Sequence, residues 1–266
     1  MSTRVLPEPT FARTRLGSGP ALVVAHGASS SFEGTWGPIL EGLTAHHTVV
    51  GIDYPGSGVT PRSETPLSLD DLADQMVAAA VAEGLDTFAL AGFSLGGPVA
   101  IRAAVRHPER VSALVLTAAF AHPDNNLALI GSVWKQLAES GDRELLAEFL
   151  LPVALGSRAL EALPADRLRA TLGYTAASSA DGTPEQVALV IRADVRDDLA
   201  KIHVPTLVIS TTADRTVAPT LHHQLAEQIT GAQLAEIDAG HVVGLERPEE
   251  WLRLITGFLN RQDHSA

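Results

Sequence analysis

Cysteine does not occur among the 266 residues. Its absence excludes disulfides, thiol nucleophiles and cysteine-ligated metals, and it suits a reducing compartment. Lysine is nearly missing: Lys135 and Lys201 are the only two, and the arginines form no basic cluster. With a net charge of -12, the chain has nothing to neutralise a row of phosphates, so neither nucleic acid nor an anionic membrane is expected as a partner. Apolar runs are too short to span a bilayer. The first twenty residues contain Pro7, Glu8, Pro9 and several arginines, and they lack the apolar core of a secretion signal. The expectation is a soluble, cytoplasmic protein. Neither Gly-x-Gly-x-x-Gly nor a glycine-rich string ending in Gly-Lys-Ser/Thr occurs, and Gly56-Ser57-Gly58 has no third glycine and opens no helix. No spacing among the ten histidines resembles a zinc site. No metal and no cofactor are expected.

What is present suits a packed core. Hydrophobic residues make up 45% of the chain and mean hydropathy is +0.15, which places it among globular proteins rather than disordered ones. The length fits one large domain with at most a modest insertion. Short apolar, β-branched runs at Ala21 to Ala25, Thr48 to Ile52, Phe88 to Gly92, Val111 to Thr117, Thr206 to Ser210 and Leu234 to Ile237 read as strands of a parallel sheet, with Thr10 to Leu16 as an edge strand. Between them, Ser68 to Glu83, Leu95 to His107, Thr220 to Ile229 and Glu249 to Asn260 carry helical periodicity, and Ser68 with Asp71 resembles a capping box with Asp in place of Glu. Alternation of this kind requires crossovers, so the fold class expected is α/β, a mainly parallel, doubly wound sheet with helices on both faces. Residues 121–196 break the alternation with helical segments alone. They read as a helical lid inserted into a core formed by residues 1–120 and 197–266.

The chemistry is concentrated after the strands, where ligands of open parallel sheets bind. Gly92-Phe93-Ser94-Leu95-Gly96 is Gly-x-Ser-x-Gly at a strand-to-helix turn, where glycines two residues either side of the serine let strand and helix approach. His26, Gly27 and Ala28 follow one strand, Asp53 another, Asp214 a third, and Gly240-His241 the last. Four separated segments thus bring a hydroxyl, a carboxylate, an imidazole and a small-residue loop to one sheet edge. The plainer alternatives are a helix N-cap for Ser94, a turn residue for Asp214 and a loop histidine for His241.

Over nearly its full length the chain resembles the α/β-hydrolase fold family. The resemblance rests on His26-Gly27-Ala28, Asp53-Tyr54-Pro55-Gly56, Gly92 through Gly97, His107-Pro108-Glu109-Arg110-Val111, Val204-Pro205-Thr206-Leu207-Val208, Ala213-Asp214-Arg215, Gly240-His241-Val242 and Glu246-Arg247-Pro248-Glu249. Their order is serine, acid, histidine, as in that family. The resemblance implies Ser94 as nucleophile, His241 as its proton acceptor and Asp214 as the group that orients the imidazole. It also implies the backbone N–H groups of Leu95 and Ala28 as oxyanion donors. An imidazole takes and returns protons near neutrality, which a serine hydroxyl by itself cannot do. His26 and Asp53 read as scaffold, and His222 and His223 as solvated positions on a helix. Phe93, His122, Trp134 and Val242 are candidate substrate contacts, while Arg158, Arg167 and Arg169 read as solvated faces.

The function expected is serine hydrolysis of a carboxylic ester, thioester or lactone of a small to medium apolar molecule. An acyltransferase, a carbon-carbon bond hydrolase or a cofactor-free haloperoxidase or perhydrolase would use the same three residues. A small-molecule binding protein with weak hydrolysis is the alternative from another class.

Overall fold

A computed structural model describes residues 6–263. The chain runs through β1 (Arg13–Leu16), β2 (Ala21–Ala25), α1 (Phe32–Thr44), β3 (Thr48–Ile52), α2 (Leu69–Ala82), β4 (Phe88–Phe93), α3 (Gly96–Arg106) and β5 (Val111–Thr117). Six helices follow: α4 (Asn125–Ser140), α5 (Arg143–Ala154), α6 (Ser157–Glu161), α7 (Ala165–Ser178), α8 (Thr183–Arg192) and α9 (Arg196–Leu199). Then come β6 (Thr206–Thr211), α10 (Pro219–Gln228), β7 (Gln233–Ile237), α11 (Val243–Glu246) and α12 (Pro248–Asp263). Among the described residues no helix is long and apolar enough to cross a membrane.

The seven strands form one sheet in the order β1-β3-β2-β4-β5-β6-β7, parallel except for β1. Strands buried on both faces need apolar residues at every position, and alternate side chains feed two cores. Val23 and Ala25 pack with Met76, Val77, Val99 and Leu225 on one face. Leu22 and Val24 pack with Phe32, Trp36, Trp251 and Phe258 on the other. The strand order reverses between β2 and β4, which opens a crevice at their carboxyl ends.

Two elements depart most from the sequence-based expectation, the edge strand and α1. The edge strand begins at Arg13 rather than Thr10, because the Thr10 N–H donates to the Gln75 side chain at 2.8 Å and leaves the ladder. Helix α1 is not foreshadowed, since Gly34, Gly37, Pro38 and Gly42 suppress its propensity. Burial overrides them: Phe32, Trp36, Ile39 and Leu43 recur at three- and four-residue steps against the sheet, and Trp36 stacks on Trp251 with ring centroids 5.0 Å apart. At α2 the Ser68 hydroxyl accepts from the Asp71 N–H at 3.1 Å and donates to the Asp71 carboxylate at 2.6 Å, a side-chain version of the expected capping box.

The helices between β5 and β6 differ in how they are anchored. Leu127 of α4 and Leu189 and Val190 of α8 join the main core, and Trp134, Leu146 and Val187 form a small core of their own. Helices α6 and α7 bury no residue. Few buried apolar groups mean a low local opening energy, so α6 and α7 are the weakest part of this layer.

Candidate active site

Ser94 follows β4 with φ at 53°, a left-handed conformation rare for a residue with a side chain. Its neighbours explain how that turn closes. A Cβ on Gly92 would lie 2.2 Å from the Gly96 carbonyl oxygen, and one on Gly96 would lie 2.3 Å from the Ala25 carbonyl oxygen. Strand β4, helix α3 and strand β2 therefore approach too closely for any other residue. Gly96→Ala is expected to destabilise the fold by about 1–3 kcal/mol through overpacking against backbone. Gly173→Ala, in α7 with no atom near its would-be Cβ, is expected to be neutral or stabilising by about 0.5–1 kcal/mol. Urea midpoints of the two variants check the contrast, and equal shifts in both would contradict it.

His241 reaches the serine from the loop after β7. Its Nε2 lies 3.0 Å from Ser94 Oγ and its Nδ1 lies 2.7 Å from Asp214 Oδ2. All three side chains are buried. A carboxylate only accepts, so Nδ1 carries the proton and Nε2 accepts from the Ser94 hydroxyl. Asp214 is itself held from several sides. Oδ1 accepts from the Thr216 and Val217 N–H groups at 2.8 and 2.9 Å, and Oδ2 accepts from the Thr211 hydroxyl at 3.0 Å. These donors leave the carboxylate one orientation. The Asp-x-Thr step at 214–216, with its side chain bonded two residues ahead, is an Asx-turn signature that the sequence displays.

The loop after β2 faces the same turn. Among the described residues, neither the Ala28 nor the Leu95 N–H donates a hydrogen bond within the protein. His26 accounts for the first of these. Its Nε2 accepts from the Tyr54 N–H at 3.0 Å, so its Nδ1 is protonated and donates to the Gly27 carbonyl at 2.7 Å. In a trans peptide that carbonyl and the Ala28 N–H point in opposite directions. His26 thereby turns the Ala28 N–H to the edge of the peptide plane opposite the ring. Burial lowers the His26 pKa to about 4 against the pull of the Gly27 carbonyl and Asp53, which keeps the ring neutral. Asp53 accepts from the Phe32 N–H at 2.7 Å and so fixes the start of α1.

Ser94 and His241 open on a cavity of about 490 Å³. Phe93, Trp134 and Val242 line it, joined by Leu150 and Leu155 of the α5 region and Tyr174 of α7. Ser29, Ser30, Ser31, Thr175 and Thr216 also line it, and among the described residues Glu33 is its only Asp, Glu, Lys or Arg. His122 does not line it. Asp124 caps α4 immediately afterwards, which leaves His122 exposed beside Asp194 and outside the cavity. Arg158, Arg167 and Arg169 are exposed and lie outside it as well.

His222 is a correction. Expected on a solvated face, it is wholly buried between Leu221 and Leu225 where α10 packs on the sheet. Its Nδ1 lies 3.1 Å from Ser210 Oγ and its Nε2 4.0 Å from Asp214 Oδ2. Burial lowers its pKa to about 4, with Asp214 pulling the other way. His223, one residue on, is half-buried and pairs with Glu236 at 3.0 Å. Adjacent histidines on a helix point a hundred degrees apart, so the pair reads alike in sequence and differs in place. Among the described residues no group of three or more His, Asp or Glu side chains is arranged to hold a metal.

A family model of the alpha/beta hydrolase fold matches residues 20–248, and with the sheet order and the turn at Ser94 this places the chain in the α/β-hydrolase fold family. It is similar to pyrrolizixenacetamide deacetylase of Xenorhabdus hominickii, with 33% identity over 249 residues that cover 93% of each chain. It is also similar to pimeloyl-[acyl-carrier protein] methyl ester esterase of Xanthomonas campestris pv. campestris, with 31% identity covering 85% of this chain and 88% of that one. Among solved structures, the enol-lactonase of Burkholderia xenovorans LB400 superposes with a TM-score of 0.84 at 23% identity, covering 94% and 96% of the two chains.

Proposed function

We propose that the protein is a serine hydrolase that cleaves an uncharged carboxylic ester, thioester or lactone through an acyl-enzyme on Ser94. The observation that carries this reading is the unbroken line of hydrogen bonds from Asp214 through His241 to Ser94, at 2.7 and 3.0 Å, ending on a cavity wall. Similarity to an esterase and a deacetylase supports it.

The chemistry follows from the proton positions. Ser94 Oγ attacks the acyl carbon while its proton passes to His241 Nε2, a step of general-base catalysis worth about 10²–10⁴-fold. Asp214 stabilises the imidazolium so formed. The carbonyl electron pair moves onto oxygen, where the Leu95 and Ala28 N–H groups meet it, each worth about 3 kcal/mol. Collapse expels the alcohol, thiol or ring oxygen, which takes the proton from Nε2. Water then attacks the acyl group by the same steps and releases the acid. The cavity is of a size for a small to medium ligand, and among the described residues it offers no Lys or Arg to pair with an anionic substrate. Glu33 at its wall repels the carboxylate product. A cytoplasmic setting belongs to this reading and is supported by the lack of cysteine.

A fluorophosphonate probe followed by peptide mass mapping tests the nucleophile, and the expected adduct is on Ser94. A panel of p-nitrophenyl esters, acyl thioesters, lactones and N-acetyl amines then assigns the bond. Turnover of neutral esters with no gain from an added substrate carboxylate is expected. No adduct, or turnover confined to anionic substrates, overturns the reading.

A further inference from the structure

Ser29 lies next to the Ala28 N–H and adopts the left-handed conformation, with φ at 62°. That backbone is costly for serine, so its surroundings must hold it. All of its polar groups are held by one distant stretch, residues 180–186, where the helical layer enters α8. The Ser29 N–H donates to Gln186 Oε1 at 2.8 Å. The Ser29 carbonyl accepts from the Ala180 N–H at 3.3 Å. The Ser29 hydroxyl lies 2.7 Å from Thr183 Oγ1, and because Thr183 donates to the Ala180 carbonyl at 2.5 Å, Ser29 is the donor of that pair.

Gln186 is fully buried and uses both ends of its amide. Its Nε2 donates to the Pro55 carbonyl at 3.1 Å and to Ser57 Oγ at 2.8 Å. It therefore ties α8 to two loops at the carboxyl edge of the sheet, those after β2 and β3. Gly182 adds a backbone bond to the Gly56 carbonyl at 3.0 Å. The Ala28 N–H stands between two fixed points: the Gly27 carbonyl drawn to His26 on one side, and Ser29 clamped by α8 on the other.

We propose that Gln186, with Thr183, is a positioning residue that sets the Ala28 N–H for the oxyanion, so that the helical layer between β5 and β6 completes the oxyanion hole. This rests on the reading of Ser94 as nucleophile. A donor displaced by a fraction of an ångström stabilises a transition state less while leaving ground-state binding nearly intact.

The test uses p-nitrophenyl butyrate as substrate, a trifluoromethyl ketone as oxyanion-forming inhibitor, and fluorophosphonate titration of Ser94 to count active sites. Gln186→Leu is expected to lower kcat per active site by about 10–100-fold with KM changed less than about twofold. Inhibitor affinity is expected to fall by a similar factor. Gln186→Glu returns an acceptor to the Ser29 N–H but loses both Nε2 donors, and it is expected to recover only part of the lost kcat. Should Gln186→Leu fail to fold, Thr183→Val and Ser29→Ala carry the test, each expected to lower kcat several-fold at constant KM. Unchanged kcat in folded variants, or a loss that falls on KM alone or leaves inhibitor affinity untouched, overturns the proposal. Failure of the wild-type protein to label at Ser94 overturns the nucleophile assignment instead, which keeps the two outcomes apart.

Discussion

Ser94→Ala is expected to lower kcat by about 10⁴–10⁶-fold on any ester the wild-type protein turns over. Alanine keeps the Cβ and meets the same left-handed backbone at φ 53°, so the variant changes chemistry without changing the turn. It removes the hydroxyl 3.0 Å from His241 Nε2, and with it both the proposed nucleophile and the proton the imidazole would accept. Because the two groups act as a unit, His241→Ala is expected to cost about as much, and the double variant little more. Steady-state kinetics with p-nitrophenyl butyrate and loss of fluorophosphonate labelling read the effect, with a thermal melt as the check on folding. A folded alanine variant that keeps more than about a hundredth of wild-type turnover would sink the assignment.

The second large effect is on stability. His26 and His222 are buried, and burial lowers each pKa from 6.5 to about 4. The unfolded chain takes up these protons at the higher pKa, so between pH 6.5 and about 4 it binds more protons than the folded one. Stability then rises with pH in that window and is lost as pH falls through it. A difference of about 2.5 units at 1.36 kcal/mol each gives about 3 kcal/mol per histidine, or about 7 kcal/mol for the two. Urea midpoints at pH 7, 5.5 and 4.5 are expected to fall steeply. His222→Gln removes one of the two titrations and is expected to flatten the slope by about one proton per molecule. An unchanged slope in that variant would show that His222 is charged, or water-exposed, in the folded state.

The elements that the sequence displays most plainly are those whose two neighbours are both predictable. Strands β2, β3 and β5 fall on Ala21–Ala25, Thr48–Ile52 and Val111–Thr117, as their apolar runs predict. A strand covered on both faces has no polar position at which its pattern can blur. Helix α1 is the counterexample, because what stabilises it is Trp251, more than two hundred residues away, and not its own glycine- and proline-bearing sequence. The site divides in the same way. Ser94, Asp214 and His241 each follow a strand and each has a side chain fit for one task, so their meeting could be anticipated from order and spacing. His122 also follows a strand, yet the cap at Asp124 turns it to solvent. His222 lies on a helix beside a solvated histidine and nonetheless ends 4.0 Å from Asp214.

By itself the sequence determined the fold class and the kind of chemistry, because strand pattern, glycine spacing and the identity of titratable side chains are local properties. Tertiary structure alone decided which groups surround that chemistry. The cavity wall from α5 and α7, the buried imidazole behind Asp214 and the amide of Gln186 that holds Ser29 all come from segments whose contacts span 8 to 157 positions. No local pattern encodes such a contact, since it depends on how two cores bring distant helices over one edge of the sheet.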